Sequence, residues 1–190
     1  MPITQETFRA LTLEDPDHQW ELFRGKLIEK PSMSVSHNRT MARLAHQLSA
    51  QLDIERFEVR TNTGRLRYTD ETYFIPDVHI VPVALMAEPN ESSEALEVLT
   101  ASMPFVAEVW SPSTGGYDVD RKIPEYQRRG DSEIWRLHPY ERSVTMFRRR
   151  DDGSYVESVV TSETVLLLEF PNVVVDVDEL FAFGTPVPGP

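Results

Sequence analysis

The apolar and polar positions divide the chain into many short extended runs with a few helices between them. Ile3 to Leu13 predicts a helix capped by Thr4, with Phe8 and Leu11 on one side. Trp20 to Phe23 and Lys26 to Glu29 flank Arg24-Gly25, a tight turn that predicts a hairpin and leaves Glu29 at a strand end. After Pro31, Ser34 and Ser36 offer caps for a long helix in which Met41, Leu44, Ala45, Leu48 and Leu52 recur at helical spacing. Phe57 to Thr61 and Arg65 to Tyr68 predict a second hairpin through Thr63-Gly64, and Phe74 to Val81 predicts an apolar strand carrying Pro76-Asp77. A proline inside a strand marks an edge, a start or a bulge, which re-aims a neighbour, here Asp77. Pro82 to Pro104 is acidic and irregular, expected to be mobile, with a helical turn or two at Ser93 to Leu99.

The next stretch carries the strongest chemical signal. Phe105, Val106, Ala107, Val109 and Trp110 are apolar on both faces of an extended run, as a strand covered on both sides would be. Glu108 lies in their midst, and burying an ionised carboxylate costs several kcal/mol unless a metal, a proton or a cation compensates. Ser111 to Gly116 breaks the strand, and Asp118 or Asp120 is placed to cap a helix carrying Lys122, Tyr126, Arg128 and Arg129 until Gly130 stops it. Pro124 is compatible with that helix only in its first turn. Glu133 to Leu137, Ser143 to Arg149, Tyr155 to Thr161 and Thr164 to Leu168 predict strands that extend the sheet, the middle two joined by a turn at Asp151-Asp152-Gly153-Ser154. Val173 to Val175 is a last apolar piece, Asp176 caps a final helical turn to Phe181, and residues 183–190 read as a flexible tail behind a single domain over 1–182.

Composition narrows the chemistry. The chain has no cysteine, so a metal here would be held by oxygen or histidine, and oxygen ligands favour magnesium, manganese or calcium. No apolar run reaches the length of a membrane span and the start lacks a leader pattern, so a cytoplasmic protein without a membrane partner is expected. A net charge of -12 argues against nucleic acid as a partner if taken alone. Its distribution modifies that: Arg121 to Arg150 is rich in arginine, between an acidic body and an acidic end. Such a segment suits either a phosphate backbone or a solvated surface.

Asp77, Glu108 and Lys122 follow the order of the metal-dependent nuclease pattern PD-(D/E)xK, although the usual spacing would put the lysine where Trp110 stands. Two carboxylates converging on a hard cation beside an ammonium group is the chemistry that phosphodiester hydrolysis needs. The segments WELFRGKLIEKPSMSVSHN, FIPDVHIV, VAEVWSPST, DVDRKIPEYQRRGDSEIWRLHP and PNVVVDVDELF, from Trp20 to Phe181, resemble the Uma-type family of putative restriction endonucleases, a branch of the PD-(D/E)XK superfamily. The resemblance implies an α/β, restriction-endonuclease-like core, with a mixed central sheet flanked by helices and additional hairpins. It implies Mg2+ or Mn2+ as cofactor with Asp77 and Glu108 as ligands, Lys122 as a catalytic lysine displaced onto the next helix, DNA as substrate and a homodimer as the assembly. Glu29, His37 and Tyr126 also fall on recurrent family positions, Glu29 as a candidate to complete the metal shell and His37 to contact phosphate or water. The chain departs from the family at Arg24 and Lys26, where acidic residues are usual, and at His138, where an aspartate is usual.

An alternative from another class is a catalytically silent module in which Asp77, Glu108 and Lys122 form a closed ion-pair network. Among the remaining polar residues, His79 reads as a satisfied core histidine and His46 as helix surface. Trp20, Trp110 and Trp135 read as core or rim packing.

Overall fold

The computed structural model describes residues 2–30, 33–86, 96–112, 115–117 and 121–182. Helix α1 (Gln5–Glu14) is capped by the Thr4 hydroxyl, which accepts the Thr7 N–H at 3.2 Å, and buries Phe8 against Leu22 and Tyr73. Strands β1 (Trp20–Phe23) and β2 (Lys26–Glu29) form the expected hairpin, Trp20 opposite Glu29. Its turn puts Arg24 at φ 50° and Gly25 at φ 74°, and a Cβ on Gly25 would meet the Pro2 Cβ at 2.3 Å, so only glycine fits. Helix α2 (Val35–Ser49) begins at Ser34, whose side chain accepts the His37 N–H, and packs Leu44 and Leu48 into the main core.

From here the chain weaves between two sheets. Strand β3 (Phe57–Thr61) pairs with β6 (Val78–Pro82), whereas β4 (Arg65–Thr69) pairs with β5 (Thr72–Phe74) and runs parallel to β7 (Val98–Leu99). The hairpin expected through Thr63-Gly64 therefore does not form: Asn62 and Gly64, both at positive φ, carry the chain from one sheet to the other. The single strand expected from Phe74 to Val81 is likewise two, broken at Ile75-Pro76-Asp77. Proline cannot donate to a ladder, and here it marks the crossing between sheets rather than a bulge. Val98 and Leu99 are strand, not the helical turn expected there; residues 93–95 of that turn lie outside the described residues, as does much of the segment expected to be mobile.

Strand β8 (Phe105–Val109) leads through a single helical turn, α3 (Gly115–Tyr117), to helix α4 (Ile123–Arg129) and strand β9 (Glu133–His138), parallel to β8. Strands β10 (Ser143–Arg149) and β11 (Tyr155–Val160) follow as a meander. The larger sheet thus has the order β11-β10-β9-β8-β6-β3 and is antiparallel except at β8/β9; the smaller has the order β2-β1-β5-β4-β7. The strand expected to extend the sheet at Thr164 instead forms β12 (Thr164–Leu166), a separate ribbon with β13 (Val174–Asp176). Asp176 caps helix α5 (Val177–Phe181), accepting the Glu179 N–H. The proposed caps Asp118 and Asp120 and the tail 183–190 lie outside the described residues. The main core packs α2, α5 and the ribbon on one face of the larger sheet, while Ile123 and Tyr126 of α4 pack on the other with Phe74, Val106 and Ile134. No helix among the described residues is long and apolar enough to cross a membrane.

Candidate active site

The site forms where the two sheets meet, at Ile75-Pro76-Asp77. Strands β6 and β8 pair Val78 with Ala107 and His79 with Val106, and Asp77, just before β6, accepts the N–H of Val109, the neighbour of Glu108. Both acids are buried, as is Glu21 on β1. Glu21 reaches the crossing from the smaller sheet: its Oε1 accepts the Ile75 N–H at 2.8 Å.

Each carboxylate has a cation. Lys122 Nζ lies 2.9 Å from Glu21 Oε1 and 3.3 Å from Glu108, and also donates to the Ile75 carbonyl at 3.4 Å. Lys122 lies in the helical turn that runs directly into α4, as expected: Pro124 occupies the first turn, as its fixed φ requires, and Gly130 ends the helix at φ 85°. One turn further on, Tyr126 donates its hydroxyl to Glu108 Oε1 at 2.5 Å. Asp77 is held from three sides. Val109 N–H donates to its Oδ2 at 2.7 Å, His37 Nε2 lies 2.8 Å from the same oxygen, and Lys30 Nζ lies 2.7 Å from Oδ1. An ionised carboxylate only accepts, so the His37 proton is on Nε2.

Burial pushes the Asp77 carboxyl up, but the Lys30 charge, the His37 hydrogen bond and charge, and Lys122 together outweigh it and hold the group well below the usual carboxylate range. Tyr126 moves the other way. Burial, the charges of Glu108 and Glu21 and its hydrogen bond to Glu108 raise its hydroxyl well above the ordinary tyrosine value, so it remains a donor.

Of the residues singled out in the sequence, the structure brings Asp77, Glu108, Lys122, His37 and Tyr126 together. His37 touches Asp77 and acts as its orienting donor. Glu29 stays apart: its side chain is 53% exposed at the end of β2, with His18 Nε2 at 3.9 Å. The further acid that joins the buried cluster is Glu21, through Lys122 and the Ile75 N–H. Its signal was in the sequence, an acid among Trp20, Leu22 and Phe23, the same pattern that marked Glu108. Lys30 was also missed, because its partners Asn62 and Ile75 are distant in sequence. His79 is buried as expected but not satisfied, since neither ring nitrogen has a hydrogen-bond partner. Trp110, at the position of the usual motif lysine, stacks on His138 at 4.3 Å with Tyr140 edge-on to it.

Among the described residues no group of three or more histidine and acid side chains is placed to hold a metal ion. The donor chemistry nonetheless suits a hard divalent cation. Asp77 and Glu108 are both buried, and Asp77 accepts the N–H of the residue next to Glu108; magnesium commonly takes one or two protein carboxylates and keeps several waters.

The larger sheet is mixed, its parallel β-α-β unit carries Glu108 and Lys122, and Asp77 stands just before the adjoining strand β6. The same fold is found in the crystal structure of a putative nuclease belonging to DUF820 from Anabaena variabilis, with a TM-score of 0.77, 19% sequence identity, and coverage of 95% of this chain and 98% of that one. A family model described as Uma2, putative restriction endonuclease, matches residues 5–178, and the chain belongs to that family. An uncharacterised protein of Synechocystis sp. is 26% identical over 115 residues, which are 60% of this chain and 62% of that protein, so the match spans less than two thirds of that relative's length.

Proposed function

We propose that the protein is a metal-dependent endonuclease that hydrolyses DNA phosphodiester bonds at the Asp77, Glu108 and Lys122 cluster, with Mg2+ or Mn2+ as cofactor. The observation that carries this reading is the convergence of two buried carboxylates and a buried ammonium at the junction of two sheets. Buried charge clusters of this kind are characteristic of functional sites, and membership of a family described as putative restriction endonucleases supports phosphodiester hydrolysis as the reaction.

Asp77 and Glu108 would hold the divalent ion, which when bound supplies Lewis-acid stabilisation of the charge that develops on the phosphate. His37 and the Val109 N–H fix the Asp77 carboxylate from one side, leaving its orientation independent of substrate. Tyr126 fixes Glu108 in the same way. Lys122, held by Glu21, presents a fixed positive charge to a phosphoryl oxygen, an arrangement in which little reorganisation is needed during reaction. Trp110, His138 and the exposed Tyr140 form an aromatic ledge just beyond the strand end that bears Glu108.

The test is incubation of supercoiled plasmid with the protein and Mg2+ or Mn2+, against a chelator control. Open-circular or linear product that appears only with metal supports the reading; no cleavage with either metal, or cleavage indifferent to the chelator, overturns it. Among the described residues, the pairing of Asp77, Glu21 and Glu108 with lysines favours one second reading, a silent module whose ion pairs are permanent. That reading expects no metal affinity at all.

A further inference from the structure

The chain contains three lysines, Lys26, Lys30 and Lys122, with arginine supplying the other basic side chains. Two of the three are buried on the same carboxylate cluster, where lysine is normally a surface residue. Lys122 has a place in the proposed reaction; Lys30 does not. Its side chain is 5% exposed, and its ammonium donates to Asn62 Oδ1 and to the Ile75 carbonyl, each at 2.8 Å, while lying 2.7 Å from Asp77 Oδ1 as an ion pair, an oxygen that accepts no hydrogen bond among the described residues. This is a built seat for a cation, and it rests on a carboxylate oxygen that a metal would need.

We propose that Lys30 is the resident counter-ion of Asp77 and that a divalent cation enters the site by displacing the Lys30 ammonium. The inference rests on the metal-site reading above. Magnesium binds carboxylate oxygen at about 2.1 Å, and an ammonium at hydrogen-bond distance from the same oxygen would repel it at close range. Lys30 directly follows β2, the edge strand of the smaller sheet, so its side chain can swing out without breaking a ladder. Without metal the ammonium keeps Asp77 ionised and in position; with metal it is released. Metal uptake is then a cation exchange, which stabilises the empty protein and weakens its metal affinity.

Calorimetric titration of Mn2+ into the full chain and into Lys30→Met tests this. The variant is expected to bind Mn2+ roughly tenfold or more tightly than the parent, to melt lower without metal, and to gain more from Mn2+ in melting temperature. If the parent binds and Lys30→Met binds no more tightly, the counter-ion role is overturned and the metal site stands. If neither binds, both fall. Should Lys30→Met not fold, Lys30→Gln, which removes the charge and keeps a donor, is titrated against the same criterion. The parent offers an independent readout by amine acetylation followed by peptide mass. Lys30 labelling is expected to rise several-fold on saturation with Mn2+ while exposed Lys26 is unchanged, and unchanged Lys30 labelling in the Mn2+-saturated protein overturns the proposal.

Discussion

Lowering the pH from about 7 to about 5 puts a proton on the unfolded chain that His79 refuses in the folded one. The ring is fully buried on β6 with no partner at either nitrogen. Burial, then the positive charges of Arg129, Arg60 and Lys30, lower its pKa from an ordinary 6.5 to about 3. Because the folded value lies below the unfolded one, stability from neutral His79 is complete above 6.5 and falls as pH drops toward the folded pKa. Between about pH 7 and 5 the loss amounts to about 2 kcal/mol, at about 1.4 kcal/mol per unit below the unfolded pKa. The Asp77 carboxyl does not contribute in this range, since its unfolded value is 3.8. The assay is urea unfolding at both pH values for the parent and for His79→Leu, which removes the titrating group and the unsatisfied nitrogens together. The parent should lose about 2 kcal/mol more than the variant. Equal pH dependence in the two proteins would refute the reasoning, because it would mean the folded ring takes up its proton as readily as the unfolded one.

The other expectations concern the site itself. Tyr126→Phe removes the hydroxyl donor to Glu108 and should cost about 2 kcal/mol in urea unfolding, a hydrogen bond to a charged group; no loss would refute that pairing. Glu21→Gln, which leaves Lys122 with one carboxylate fewer, should cost about 3 kcal/mol, whereas Glu29→Gln at its exposed strand end should stay within about 0.5 kcal/mol. Equal effects would contradict the placement of these two acids. The depressed Asp77 carboxyl contributes stability that is present above 3.8 and lost as pH falls below it, so Asp77→Asn should flatten the acid limb of a circular-dichroism pH titration.

Elements announced by local chemistry were legible in the sequence. The Thr4, Ser34 and Asp176 caps, the Arg24-Gly25 turn and the Gly130 stop each act within a few residues, and each is where the sequence puts it. What could not be read was the choice of partner. Thr63-Gly64 looks like a hairpin turn, and Gly64 does adopt a left-handed φ, yet β3 and β4 join different sheets because their apolar sides are wanted by different neighbours. Pro76 carried the correct warning of an interruption but not its meaning. The same divide runs through the site. Glu108 declared itself by sitting in a strand apolar on both faces, and Glu21 sits in a similar setting. Glu29 drew attention by position at a strand end, which says nothing of burial. Lys30 depends on the Asn62 side chain and the Ile75 carbonyl, contacts made only once the two sheets meet.

The central claim is that this buried cluster performs hydrolysis, and the most direct measurement is the initial rate of plasmid nicking against Mn2+ concentration for the parent and Glu108→Gln. Glutamine keeps the shape and can still accept from Tyr126, so circular dichroism should show the fold retained. The account predicts metal-dependent nicking by the parent and a rate reduced by roughly two orders of magnitude or more in the variant at every Mn2+ concentration. Nicking by a folded Glu108→Gln at the parental rate would contradict it.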